Sequence, residues 1–128
     1  MVEGYRKLEV WKKGYLLTRK IYEATECFPK EEMYGLVSQM RRASVSIAAN
    51  IAEGYGRNHL GEYIQFVSYA IGSSNELKVY LLLSNDLKYL DDGLHTDLTS
   101  IHKEVSKMLL GLRTSLENKK TFGTSPVP

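Results

Sequence analysis

Residues 94–112 read LHTDLTSIHKEVSKMLLGL, and this stretch decides the fold class. Leu94, Leu98, Ile101, Val105, Met108 and Leu112 recur at steps of four, three, four, three and four. That alternation follows one face of a helix. A strand would carry its apolar residues at every second position, and this stretch does not. The turn at Tyr89 to Gly93 separates it from the segment before. After Leu116 the pattern stops, and Glu117 to Pro128 is polar, with Gly123, Pro126 and Pro128. Residues 119–128 are therefore expected to be a disordered tail.

Three further segments have the same period. Tyr63, Val67, Ala70, Ser74, Leu77 and Leu81 form a seam in a segment that opens at Asn58, a residue type suited to an N-cap. Gly72-Ser73-Ser74-Asn75 weakens it, but the seam keeps its phase on both sides, so one continuous helix is expected. Met33, Val37, Met40, Ser44, Ile47 and Ile51 form the second segment's seam, which ends at Gly54-Tyr55-Gly56. Glu31 and Glu32 would sit in its first turn, where acids suit the helix dipole. In the first segment Leu8, Trp11, Tyr15, Thr18, Tyr22 and Thr25 recur, widened by Leu17, Ile21 and Ala24. Phe28-Pro29 ends it, because the residue before a proline avoids the helical region.

These segments predict an all-α chain with helices over about 5–27, 30–54, 58–88 and 92–118. Short connections make sequential helices antiparallel, giving an up-down-up-down four-helix bundle in one domain, residues 1–118. The first 120 residues hold a single proline, Pro29, as long helices require. A net charge of +2 is only mildly basic and does not by itself announce a nucleic-acid partner. One cysteine, Cys27, excludes an internal disulfide and suits a reducing compartment. Met1 to Lys13 has charges throughout and no apolar run, so neither a signal peptide nor a membrane span is expected there. Cytoplasmic is the expected location.

Helix two carries more than a core seam. Gln39, Arg42, Ser46, Asn50 and Glu53 form a polar stripe beside a stripe of small residues, Ser44, Ala48 and Ala52. A solvated face with a close neighbour is the plain reading; a surface that touches something beyond its own bundle is the other.

Residues 36–57, LVSQMRRASVSIAANIAEGYGR, resemble the signature of the 23S rRNA intervening-sequence proteins. The matching positions are Gln39, Arg42-Ala43, Ser46-Ile47, Asn50-Ile51-Ala52-Glu53-Gly54 and Arg57. Leu8 and Trp11, Phe28-Pro29 with Glu32 and Tyr34-Gly35-Leu36, Ser73 with Glu76-Leu77, and Lys107-Met108-Leu109 with Gly111-Leu112 extend the likeness over roughly residues 5–116. Ala48-Ala49 departs from it, since the family often has a proline there; helix two should be straighter for its absence. The resemblance implies a four-helix bundle, first noticed as reading frames inside bacterial large-subunit rRNA genes. A related branch, the accessory variability proteins of diversity-generating retroelements, comprises homopentamers that bind nucleic acid and a reverse transcriptase. A pentamer is thus the expected assembly, and RNA or DNA a possible partner, with a reverse transcriptase only in a retroelement setting.

An enzyme is not expected. His59, His95 and His102 are scattered, no Glu-x-x-His pair is present for a bundle metal site, and Asp92-x-x-His95 lies at a turn where capping explains it. Cys27 has no histidine near it in sequence. Gly54-Tyr55-Gly56 follows a helix rather than a strand, unlike a phosphate loop. No cofactor or metal is expected. For nucleic acid, the phosphate contacts would come from Lys12, Lys13, Arg19 and Lys20 on helix one and from Arg41, Arg42 and Arg57. Tyr5, Trp11 and Tyr55 are the residues that could stack on bases, although Trp11 lies on the apolar seam. Five copies of a +2 chain would carry about +10. The alternative is a purely structural assembly in which Gln39, Arg42, Ser46, Asn50 and Glu53 meet a neighbouring protomer, because buried polar groups need partners.

Overall fold

The structure, a computed structural model, describes residues 4–123. Four helices make the frame: α1 Glu9–Thr25, α2 Leu36–Tyr55, α3 Leu60–Asp86 and α4 Asp92–Phe122. Single tight 3-10 turns at Gly4–Lys7 and Lys30–Glu32 precede α1 and α2, and no strand occurs among the described residues. α1 packs on α2 and α4, α3 packs on the same two, and the backbones of the diagonal pairs make no close approach. The bundle is therefore a square in which each helix lies beside its neighbours in sequence.

The seams of α2, α3 and α4 point inward as their period requires. Val37, Met40, Ser44, Ile47 and Ile51 meet Tyr63, Val67, Ala70, Ser74, Leu77 and Leu81, all buried. On α4 Leu98, Val105 and Leu112 are buried, while Leu94, Ile101 and Met108 pack at the margin and Leu109 and Leu116 complete the core. Each large apolar side chain so buried contributes about 1.5–3 kcal/mol.

α1 is turned relative to its expected face. Leu17, Ile21 and Ala24 form the centre, with Val10 and Gly14, whereas Tyr15 is 48% and Tyr22 41% exposed. A tyrosine at a helix margin can lay its ring on the core and keep its hydroxyl in water. Gly14 faces Ile47, and a Cβ there would meet Ile47 Cγ2 at 3.4 Å, an ordinary contact.

Several boundaries differ from expectation. α1 ends at Thr25, two residues early. α2 begins at Leu36 rather than near residue 30, because the chain passes through one 3-10 turn and then Gly35, whose φ −114 and ψ −107 are not helical. This detour lets Phe28 bury 5.2 Å from the Tyr89 ring and lets Glu32 accept the Tyr89 hydroxyl at 2.9 Å. Met33 is left outside the core. The N-cap of α3 is His59, not Asn58. α3 then runs unbroken through Gly72–Asn75: Ser73 and Ser74 spend their hydroxyls on neighbouring helices rather than on breaking their own. α4 continues to Phe122, so residues 119–122, expected in the tail, are helical. Lys119 and Lys120 suit the negative end of the dipole, and Gly123 closes the helix in the left-handed conformation, donating to Lys119 O at 2.7 Å. The rest of the expected tail, 124–128, lies outside the described residues.

Candidate nucleic-acid interface

The face formed by α1 and α2 is tied together by polar contacts. Thr18 Oγ1 lies 3.0 Å from Ser44 O across the two helices. Thr25 Oγ1 donates to Ile21 O at 2.7 Å and accepts from Arg41 Nε at 2.9 Å. Arg41 also donates to Tyr22 O at 3.3 Å, and its guanidinium sits 4.5 Å from the Tyr22 ring centroid. Arg41, a predicted phosphate contact, is thus largely engaged in clamping α2 to the end of α1.

The other predicted cations divide into two groups. Lys12 pairs with Glu9 at 3.3 Å and Lys13 with Glu104 at 2.9 Å. Arg57 reaches Glu53 at 3.6 Å and Glu62 at 3.4 Å and lies over Phe66. Such exposed pairs are worth only about 0–1 kcal/mol, so a phosphate can displace them. Arg19, Lys20 and Arg42 are exposed, with no carboxylate partner among the described residues. Arg57 stands apart, two residues past the end of α2, whose last residue lies about 20 Å along the helix from Arg42.

Aromatic side chains interleave with these cations. Tyr15, Arg19 and Tyr22 share one helical stripe by their spacing. Trp11 stacks on Tyr15 at 5.0 Å with planes 14° apart, and Arg6 lies 5.8 Å from the Trp11 ring. Trp11 itself packs against the core and is half-buried. Tyr15 and Tyr22, expected on the core seam, stand exposed at its margin, and Arg6 joins them beside Trp11. The available signal was chemical, since two tyrosines on one stripe with a threonine suit a margin better than a core.

The polar stripe of α2 divides between exposed and half-buried residues. Gln39, Arg42 and Glu53 are exposed. Ser46 and Asn50 are half-buried and satisfied within the chain: Asn50 Nδ2 donates to Ser46 O at 2.8 Å, and Ser73 Oγ on α3 donates to Ser46 Oγ at 2.8 Å. Gly54 is where α3 comes closest, for a Cβ there would meet Phe66 Cβ at 2.8 Å and Tyr63 O at 3.3 Å.

Between α3 and α4 lies a closed polar cluster. His102 Nε2 is 2.7 Å from Ser74 O, a carbonyl that can only accept, so the ring carries its proton on Nε2. Ser74 Oγ and Ser106 Oγ are 2.7 Å apart beside it. Burial lowers the His102 pKa; the Ser74 hydrogen bond opposes this and Lys78 adds to it. His95 Nε2 lies 3.4 Å from Thr99 Oγ1, and the side-chain cap of α4 is Asp91, which accepts Leu94 N–H at 2.7 Å, rather than Asp92. Cys27 is exposed. No group of three metal-ligating side chains occurs among the described residues. No described helix is long and apolar enough to cross a membrane.

Fold and surface together define a four-helix bundle whose α1–α2 face carries Arg19, Lys20 and Arg42, cations unpaired among the described residues, beside half-exposed Tyr15 and Tyr22. The chain belongs to the 23S rRNA-intervening sequence protein family, whose pattern matches residues 6–111. Its fold is similar to that of a protein of unknown function from the S23 ribosomal protein family of Bacteroides thetaiotaomicron, with a TM-score of 0.74 at 20% identity over 81% of this chain and 97% of that one. At that identity the likeness shows the fold alone. No curated protein matches this chain.

Proposed function

We propose that the chain is a non-enzymatic, homo-oligomeric protein that binds RNA or DNA through the α1–α2 face, a pentamer being the assembly its family resemblance favours. The observation that carries this reading is Arg19, set between half-exposed Tyr15 and Tyr22 with no carboxylate partner among the described residues. Guanidinium groups neutralise phosphates, and aromatic faces between them accept unstacked bases. A gel-shift titration with structured RNA and with duplex DNA across a salt series tests it. Affinity should fall steeply with salt, and Arg19→Glu with Arg42→Glu should weaken binding at least about tenfold. No shift at low salt, or one indifferent to salt, defeats the reading.

Assembly without a ligand is the second reading. It is favoured by apolar side chains left on the outside of α3, among them Val79, Leu82 and Leu83. Native mass spectrometry tests it, and a clean monomer rules out both this reading and the pentamer.

A further inference from the structure

Where α2 hands over to α3, the end of the bundle carries an open cleft of about 660 Å³. Its wall includes Lys7, Tyr55, Arg57, His59, Tyr63 and Lys119, and no Asp or Glu lines it. The cations come from the first 3-10 turn, the α2–α3 loop and the end of α4, so only the folded chain assembles them.

This end already carries positive potential. α3 is 27 residues long and opens with no side-chain cap at His59, so the positive end of its dipole lies at the pocket wall. Lys120 adds a fourth cationic group, its Nζ 3.3 Å from where a Cβ on Gly61 would stand. Glu53 and Glu62 hold Arg57 from outside the lining. Lys7, Lys119 and Lys120 have no carboxylate partner among the described residues. Cations beside a helix N-terminus repel its dipole, and an anion relieves that cost.

Tyr63 supplies an independent observation. It is 5% exposed, and its hydroxyl is the one enclosed side-chain N or O without a hydrogen-bond partner among the described residues. Burial, with Tyr55 nearby, pushes its pKa up to about 12, so it stays a neutral donor. A buried polar atom left unpaired costs about 1–3 kcal/mol, which an acceptor in the pocket would offset. Tyr55, 40% exposed and 6.1 Å from Tyr63 between ring centroids, adds an aromatic wall.

We propose that this pocket binds a phosphate monoester, carried by a free mononucleotide or by the end of a nucleic-acid strand. Lys7, Arg57, Lys119 and the α3 N-terminus hold the phosphate, and the Tyr63 hydroxyl donates to the ligand or to a water held with it. The site is separate from the Tyr15–Arg19–Tyr22 face and does not depend on it.

Isothermal titration of the whole chain with inorganic phosphate, adenosine monophosphate, and a short single-stranded RNA with or without a terminal phosphate tests the proposal. Saturable binding of adenosine monophosphate identifies the free nucleotide as the source. If only the RNA binds, a gain of about tenfold from its terminal phosphate identifies the strand end. Lys119→Gln should weaken the binding about tenfold. Tyr63→Phe should weaken it too, while thermal stability without ligand holds or rises, because that variant deletes the unpaired hydroxyl. Absence of saturable binding by all these probes overturns the proposal. So does binding that ignores both Lys119→Gln and Tyr63→Phe, or RNA binding that ignores the terminal phosphate. The last result leaves the α1–α2 face reading intact.

Discussion

Arg41 on α2 donates from Nε to Thr25 Oγ1 on α1 at 2.9 Å, while Arg42, the next residue, is exposed with no ion-pair partner among the described residues. Two adjacent arginines thus have different roles. Arg41→Ala should destabilise the bundle by about 1–2 kcal/mol, because it also leaves Tyr22 without its cation and frees the end of α1. Arg42→Ala should stay within about 0.5 kcal/mol of the parent. Urea unfolding of the two variants checks this, and equal effects would remove the clamp.

Glycine has opposite meanings on two helices. Gly54→Ala must push α3 away at Phe66 and Tyr63, and is expected to cost about 1–2 kcal/mol net of the helix propensity it gains. Gly111, inside α4, would place a Cβ more than 4 Å from any neighbouring side chain or helix. Gly111→Ala should therefore stabilise by up to about 1 kcal/mol. Thermal melts of the pair should move in opposite directions.

Lys88 holds φ 63 after the end of α3, and Tyr89 N–H reaches back to Ser84 O at 2.9 Å. Side chains other than glycine pay about 1–2 kcal/mol for this conformation. Lys88→Gly should raise stability by about 0.5–1 kcal/mol after the extra freedom of the unfolded chain is counted. A lowered melting temperature would contradict this.

His102 predicts a pH dependence. Its pKa in the folded chain is lowered, chiefly by burial, from an unfolded value near 6.5. Below that pH the unfolded chain binds the proton more readily. The contribution of the neutral ring is therefore fully present above pH 6.5 and is lost as pH falls toward and through the folded pKa. Unfolding free energy measured from pH 8 to pH 5 should decline at the acid end, all about in step with this titration. His102→Asn should flatten that decline.

The sequence carried the helices because burial on one face imposes a period, and that period survives in a single chain. Val67 to Leu81 on α3 and Leu98 to Leu112 on α4 were legible for this reason, as was the family motif through Gly54. The face of α1 was less so: Tyr22 fits either side of a margin, and only contact with α2 distinguishes it from Ile21. The start of α2 was missed because Glu32 answers to Tyr89, 57 residues away in sequence.

By itself, then, the sequence determined an all-helical four-segment chain and its family, since periodicity and motif are local. Tertiary structure alone decided which cations are held and which are open. It also placed Ser74 against His102, and Lys7 and Lys119 around one pocket with Tyr63. Such pairings depend on side chains brought together across helices, and spacing along one chain holds no record of the partner's position.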